Sequence, residues 1–266
     1  MPLNIAVLAK ASLDPNMIRT RAGDEVDVEA MPLALSEYDK NAVEAAVQLK
    51  EKHGGRVVVL SALTWPPLAK RSREIEQVMR EALAMGADEA HVVIDEALVP
   101  GDPNSTAAAF AALARKLGGF DLIVSGEASM DMISSQVGAR VAALLGIPFI
   151  SFARSVEVAD GKLRAVRDLE DRLETVEAPL PAAVSVTGEA NKPRIPTLIQ
   201  VRRAFRKPLK RYSLADLGVE LPPRPRLEQL RVITVKRKNI ILEGDNLEEI
   251  AEKLIDALIR EGVIKA

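Results

Sequence analysis

The chain contains no cysteine. That single absence excludes disulfides, thiolate metal sites and cysteine nucleophiles together. Histidine is almost as scarce. His53 lies in the polar helix end Lys50-Glu51-Lys52-His53-Gly54-Gly55 and His91 opens the apolar run Val92-Val93-Ile94, positions that capping and packing explain without catalysis or metal binding. An excess of either charge is lacking too: 36 lysines and arginines face 38 acids, for a net charge of -2. There is thus no global attraction to nucleic acid or to an anionic membrane, and any basic recognition is local. No apolar run approaches the roughly 18 residues of a membrane span. Met1-Pro2-Leu3 lacks the charged-then-apolar order of a secretion signal, so a cytoplasmic location is expected.

What is present is hydrophobic patterning. With 266 residues, 48% of them hydrophobic, the chain can bury a large core in one α/β domain or one domain plus an extension. Ile5 to Leu8, Val57 to Leu60, Val92 to Ile94 and Leu122 to Val124 are short continuous apolar runs, which read as strands buried on both faces. Between them lie stretches of helical period. Asn41 to His53, with Asp39 as a plausible N-cap, and Arg71 to Met85 predict two helices stopped by Gly54 and Gly86. Thr106 to Leu117 and Ser134 to Leu145 predict two more, stopped by Gly118 and Gly146. This alternation predicts a mainly parallel, doubly wound, Rossmann-like sheet.

After Phe152 the pattern changes. Val156 to Val158, Leu163 to Val166, Leu173 to Val176 and Ala182 to Val186 predict short strands forming hairpins against the parallel sheet. Asn191 to Pro196 reads as a loop and Leu221 to Pro225 as a linker. Asn246 to Arg260 is an amphipathic helix that needs a surface to cover. A nucleotide-binding domain over 1–204 and a C-terminal arm and helix over 205–266, contacting a partner, are the expected division.

In open parallel sheets ligands sit beyond the carboxyl ends of the strands. Those ends deliver Leu8, then Ser61 and Ala62, then Ser125-Gly126 running into Glu127-Ala128-Ser129-Met130-Asp131. A small-residue loop admits close backbone approach, and Ser134 and Ser135 would open a helix whose free N–H groups suit a phosphate. A plain turn at Gly126 with an N-capping serine explains the same letters. The dinucleotide Gly-x-Gly-x-x-Gly and the P-loop fingerprint are both missing, and no Ser/His/Asp set has a supporting motif. The residues therefore indicate a nucleotide-binding α/β domain without a visible catalytic centre, the arrangement of a protein whose cofactor carries the chemistry.

Several segments in order resemble the β subunit of electron-transfer flavoproteins, from Ile5 to about Leu217. They are Asn41 to Glu51, Arg80-Glu81-Ala82-Leu83-Ala84-Met85-Gly86-Ala87-Asp88, Gly126 to Gly138 with Leu145-Gly146-Ile147-Pro148, Leu180 to Val184, and Asn191-Lys192-Pro193-Arg194. The resemblance implies adenine-nucleotide contacts at Leu8, at Ser36, Glu37, Tyr38 and Asp39, and at Ala62. It extends them through Gly126, Glu127, Ala128, Ser129, Met130, Asp131, Met132, Ile133, Ser134, Ser135, Gln136 and Val137. It further implies a heterodimer with a flavin-bearing α subunit, and a loop from Asn191 to Ala204 that docks on a dehydrogenase through Leu198 beside Arg202, Arg203, Arg206 and Lys207. Common members carry more acids in the nucleotide loop, whereas this chain keeps only the Asp131 position, which is closer to the branch associated with nitrogen fixation and carnitine metabolism. Members hold either a structural AMP or a second FAD that exchanges electrons with NAD(H) in electron bifurcation. The less acidic loop leans toward FAD, with a dehydrogenase or NADH as donor and a quinone reductase or low-potential carrier as acceptor.

Overall fold

The computed structural model describes residues 2–222, 227–233 and 237–265. The chain divides into two compact units, Met1–Arg231 and Val232–Ala266. In chain order the first comprises β1 (Leu3–Leu8), β2 (Ala11–Leu13), β3 (Leu33–Leu35), α1 (Glu37–His53), β4 (Gly55–Leu63), α2 (Leu68–Met85) and β5 (Glu89–Ile94). It continues with α3 (Pro103–Lys116), β6 (Leu122–Gly126), α4 (Val137–Leu145), β7 (Phe149–Ala159), β8 (Lys162–Asp168), β9 (Leu173–Pro179), β10 (Ala182–Val186), α5 (Leu198–Ala204) and β11 (Leu209–Tyr212). Nine strands form one sheet in the order β11-β5-β4-β1-β6-β10-β7-β8-β9. From β11 to β7 every pairing is parallel, and β7 to β9 is an antiparallel meander. The doubly wound α/β expectation holds.

Strand alternation builds the two sides of the core. Ile5 and Val7 of β1 and Val57 and Val59 of β4 pack with α1 and α2, through Val43, Val47, Ile75 and Met79. Their neighbours Ala6, Leu8, Val58 and Leu60 face the other way, onto Phe110 and Leu113 of α3 and Val141 of α4. A strand buried on both faces cannot alternate with polar residues, which is why these strands read as unbroken apolar runs.

Several expected boundaries shift. Helix α1 begins at Glu37 after Ser36, not at Asn41 after Asp39, because the Asp39 carboxylate is turned away to accept a hydrogen bond from the Lys10 backbone N–H at 2.7 Å. Helix α4 begins at Val137, not Ser134: Ile133 and Ser135 have φ of 47° and 53°, a left-handed backbone that no α-helix can continue through. Strand β10 is not part of a hairpin but lies inside the parallel sheet between β6 and β7, with all five of its residues buried. The small antiparallel β2–β3 pair, α5 and β11 were not expected. Strand β11, beyond the expected division at 204, joins the edge of the same sheet on β5. Of the expected linker, Pro223 to Pro225 lie outside the described residues.

In the second unit, α6 (Leu247–Arg260) is capped by Asn246, whose side chain accepts from the Glu249 N–H at 2.9 Å. Its apolar stripe includes Leu247, Leu254 and Ile255, all exposed. Among the described residues no helix is long and apolar enough to cross a membrane.

The first turn between helix and sheet depends on one glycine. Gly55 has a φ of 106°, and a Cβ there would lie 2.1 Å from the Leu3 carbonyl oxygen across the β1–β4 ladder. Gly55→Ala is expected to destabilise the protein by at least about 2 kcal/mol through strain and displaced β-pairing, read as a lower urea midpoint. An unchanged midpoint would show that the ladder start gives way freely.

Candidate functional site

Strand order reverses at β1: β4 and β5 lie on one side of it and β6 and β10 on the other. A crevice outside the carboxyl ends is the geometric consequence. A cleft of about 1000 Å³ including its open mouth lies there, lined by Leu8, Ala9 and Lys10 after β1, Ala62 and Thr64 after β4, and Ser125 to Ser129 after β6. Its outer wall comes from Val99, Gly101 and the start of α3, with Phe110 and Phe149 as aromatic surfaces. Leu8, Asp39, Ala62, Gly126, Glu127, Ala128, Ser129, Met132, Ser134, Ser135, Gln136 and Val137 all lie on the cleft wall.

Six other expected contacts do not line it. Ser36 accepts a hydrogen bond from the Met130 N–H at 3.3 Å, joining the start of α1 to the loop. Glu37 pairs with Lys40, Ile133 is exposed, and Tyr38 packs on Gly126, where a Cβ would come within 2.8 Å of the tyrosine side chain. Asp131 is buried beneath the loop. Its carboxylate accepts from the Lys10 ammonium at 2.7 Å, Trp65 Nε1 at 2.8 Å, the Ser129 hydroxyl at 2.8 Å and the Leu13 N–H at 3.3 Å. Burial works against its charge, yet Lys10, Ser129 and Trp65 outweigh it and hold the carboxyl below its ordinary value. These residues shape the site from behind.

The Thr64, Val99 and Gly101–Phe110 side of the cleft had no place in the sequence reading. The local signal for it is Asp102-Pro103, an N-cap followed by a first-turn proline, beyond the end of β5.

Two helix starts face the cleft and differ chemically. That of α3 is already occupied: Asp102 accepts from the N–H groups of Asn104 at 3.0 Å and Ser105 at 3.2 Å. That of α4 has no side-chain cap and no acid in its first turn, so its donors are free for an anion. Gly138 keeps this end close to the strand, since a Cβ there would lie 2.6 Å from the Ser125 hydroxyl. The donor end expected at Ser134 is therefore three residues further on, with Ser134 and Ser135 as flanking wall. Burial raises the Glu127 carboxyl above its ordinary value, against a hydrogen bond from the Gly188 backbone, and the Glu189 charge adds to the rise.

The model of the electron transfer flavoprotein domain matches residues 26–217. The chain belongs to the electron transfer flavoprotein family. The matched span of this electron transfer flavoprotein contains most of the cleft and also the segment after β10. There, Asn41 and Asn191 exchange amide-to-carbonyl hydrogen bonds of 2.8 and 2.9 Å, and Arg194 binds Glu44 at 2.7 Å and Glu51 at 2.6 Å, which clamps the segment's base to α1. Beyond the clamp, Leu198 opens α5 at 84% exposure, with Ile195, Ile199 and Phe205 also exposed. Arg202, Arg203 and Arg206 face solvent, but Lys207 does not join them: its ammonium is spent on the carbonyls of Leu83 at 2.8 Å and Ala87 at 2.5 Å.

Asp39 carries the most perturbed acid of the cleft. Burial lifts its carboxyl to about 7, against opposing hydrogen bonds from the Lys10 and Gly126 backbone. The folded protein thus retains a proton that the unfolded chain releases near 4, and this contribution to stability is lost as pH rises from about 4 to about 7. Asp39→Asn abolishes that loss at a pH-independent cost, because one N–H then faces an amide NH2. Urea unfolding at pH 5 and pH 8 should show wild type losing roughly 1 to 4 kcal/mol more than the variant over this interval. Parallel profiles would mean that Asp39 stays ionised throughout.

Proposed function

We propose that this chain is the β subunit of a heterodimeric electron-transfer flavoprotein and holds FAD in the cleft, exchanging electrons between NADH or a dehydrogenase and a downstream acceptor. The observation that supports it most is the uncapped, acid-free start of α4 facing a cleft cut at the sheet's reversal point. That start suits the diphosphate, the Gly126 and Gly138 positions let backbone and sheet come close, and Phe110, Phe149 and Val99 offer apolar walls for planar rings. When bound, a flavin supplies transfer of electrons in pairs from a nicotinamide and singly to carriers. The chain's own part is to hold and orient: Asp131 fixes the loop, Lys10 is kept from the ligand by that same carboxylate, and Asp39 with its raised affinity for a proton limits repulsion of phosphate.

The runner-up is a conventional β subunit with a structural AMP that stabilises the folded state by linkage. In both readings an α subunit carrying its own FAD is the partner, with the amphipathic α6 of the second unit as part of that contact, in a cytoplasmic complex. The exposed Leu198 patch with its three arginines is read as the dock for a dehydrogenase or quinone reductase, apolar contact giving affinity and charge giving steering.

Flavin absorbance of the co-expressed heterodimer separates the readings: two flavins per heterodimer, reducible by NADH, are expected, and one flavin with AMP released on denaturation would replace FAD by AMP in the cleft. Leu198→Ala should raise the apparent KM for the redox partner roughly tenfold with flavin content unchanged, the effect of removing a central apolar anchor. An unaltered KM would move the dock elsewhere.

A further inference from the structure

Arg140, one turn into α4, ties together the two helix starts that border the cleft. Its Nε and Nη2 donate to the Gln136 Oε1 at 3.1 and 2.7 Å, and its Nη1 donates to the Asn104 Oδ1 at 2.5 Å. Gln136 precedes α4 on the cleft wall, and Asn104 lies in the first turn of α3, whose Asp102, Pro103 and Thr106 belong to the outer wall. The spacing explains the reach. Residues four apart share a helix face, and helical side chains lean toward the N-terminus.

Two features of this contact exceed what a brace between helices needs. A guanidinium has donors only, so the Gln136 oxygen must face it. The Gln136 amide N–H2 is then left as a donor on an exposed residue of the wall, and it bonds to none of the described residues. The second feature is charge. Arg140 is turned back toward the positive end of α4, where a cation is unfavourable, and it is held there by neutral amides, with no carboxylate paired to it among the described residues. Lys10, the cation that lines the cleft, is spent on Asp131. An anion in the cleft would answer both features, accepting from the amide and offsetting the guanidinium. Resting on the reading of the cleft as a nucleotide site, we propose that Arg140 is a positioning residue for the ligand's phosphate. It fixes the Gln136 carboxamide by its oxygen, so that the N–H2 is presented to the anion beside the open donors of α4. AMP and FAD share this chemistry through their phosphates.

The test is titration calorimetry of the full chain, stripped of bound nucleotide, with AMP and FAD in separate arms. Adenosine, which lacks the phosphate, is the third ligand, and ligand-free melting temperatures are recorded alongside. Arg140→Met is expected to bind the nucleotide about tenfold more weakly, the loss of one hydrogen bond to a charged group, and adenosine within about twofold of wild type. Gln136→Ala should do the same. The double variant should also be about tenfold weaker, not about a hundredfold, because the two side chains act as one unit. Gln136→Glu keeps a partner for Arg140, now a carboxylate, and removes the donor. Its melting temperature should equal or exceed that of wild type while nucleotide binding falls by more than about tenfold. Equal weakening of nucleotide and adenosine by Arg140→Met would overturn the proposal, since Arg140 would then only brace the helices. Additive losses in the double variant would overturn it too, as would wild-type nucleotide affinity in Arg140→Met or in Gln136→Glu. If Arg140→Met fails to fold, the contrast between nucleotide and adenosine in Gln136→Glu decides. If wild type binds neither AMP nor FAD, the nucleotide reading of the cleft falls and the role of Arg140 with it; if wild type binds and the variants bind equally well, only the role of Arg140 falls.

Discussion

The Asp131 carboxylate is the constraint on which the site's shape depends. It is a buried charge, and it is tolerable only because an ammonium, an indole N–H, a hydroxyl and a backbone N–H converge on it. Those donors come from three separate places in the chain: Lys10 and Leu13 after β1, Trp65 after β4, and Ser129 within the loop after β6 itself. One anion thereby sets three strand-end loops in a common frame. Ala11, Leu13 and Trp65 anchor two of these segments in the core, and the carboxylate ties the third, the loop after β6, to them. Removing a single partner would leave the others with an uncompensated buried group, which makes the arrangement all-or-none.

Around that centre the chain uses smallness where a ligand or strand must come near. Gly126 lies against Tyr38 and Asp39, and Gly138 against Ser125. A methyl group at either position would push α1 or α4 outward and widen the cleft. The same α1 whose first turn borders the cleft at Asp39 also holds the Asn191–Arg194 segment through Asn41, Glu44 and Glu51. The cleft and the exposed Leu198 surface are thus both tied to one helix, α1.

The fold was legible wherever a segment's burial is symmetric. Strands β1, β4, β5 and β6 are covered on both faces, so their letters are continuous runs of Val, Ile, Leu and Ala, and the helices between them carry their apolar residues at helical spacing. Strand β10 has the same signature, but its position among hairpin strands concealed its place in the parallel sheet. Helix α5 was hidden for the opposite reason: its hydrophobic residues point to solvent, so no buried stripe marks it, and its Thr197–Gln200 capping box is the remaining local signal. The start of α4 was misplaced because two serines ahead of an apolar stretch resemble an N-cap, while the left-handed backbone at Ser135 is imposed by how the loop is held.

By itself, the sequence determined the doubly wound architecture, the strand ends that border the cleft and the absence of cysteine chemistry, because these follow from residue type and short-range spacing. Tertiary structure alone decided which residues face the cleft. Asp131 and Ser36 turned out to support the loop, and Lys207 to hold carbonyls. Those roles depend on partners as far as 124 positions away, and the direction in which a polar side chain spends its hydrogen bonds is fixed only once those partners are brought together.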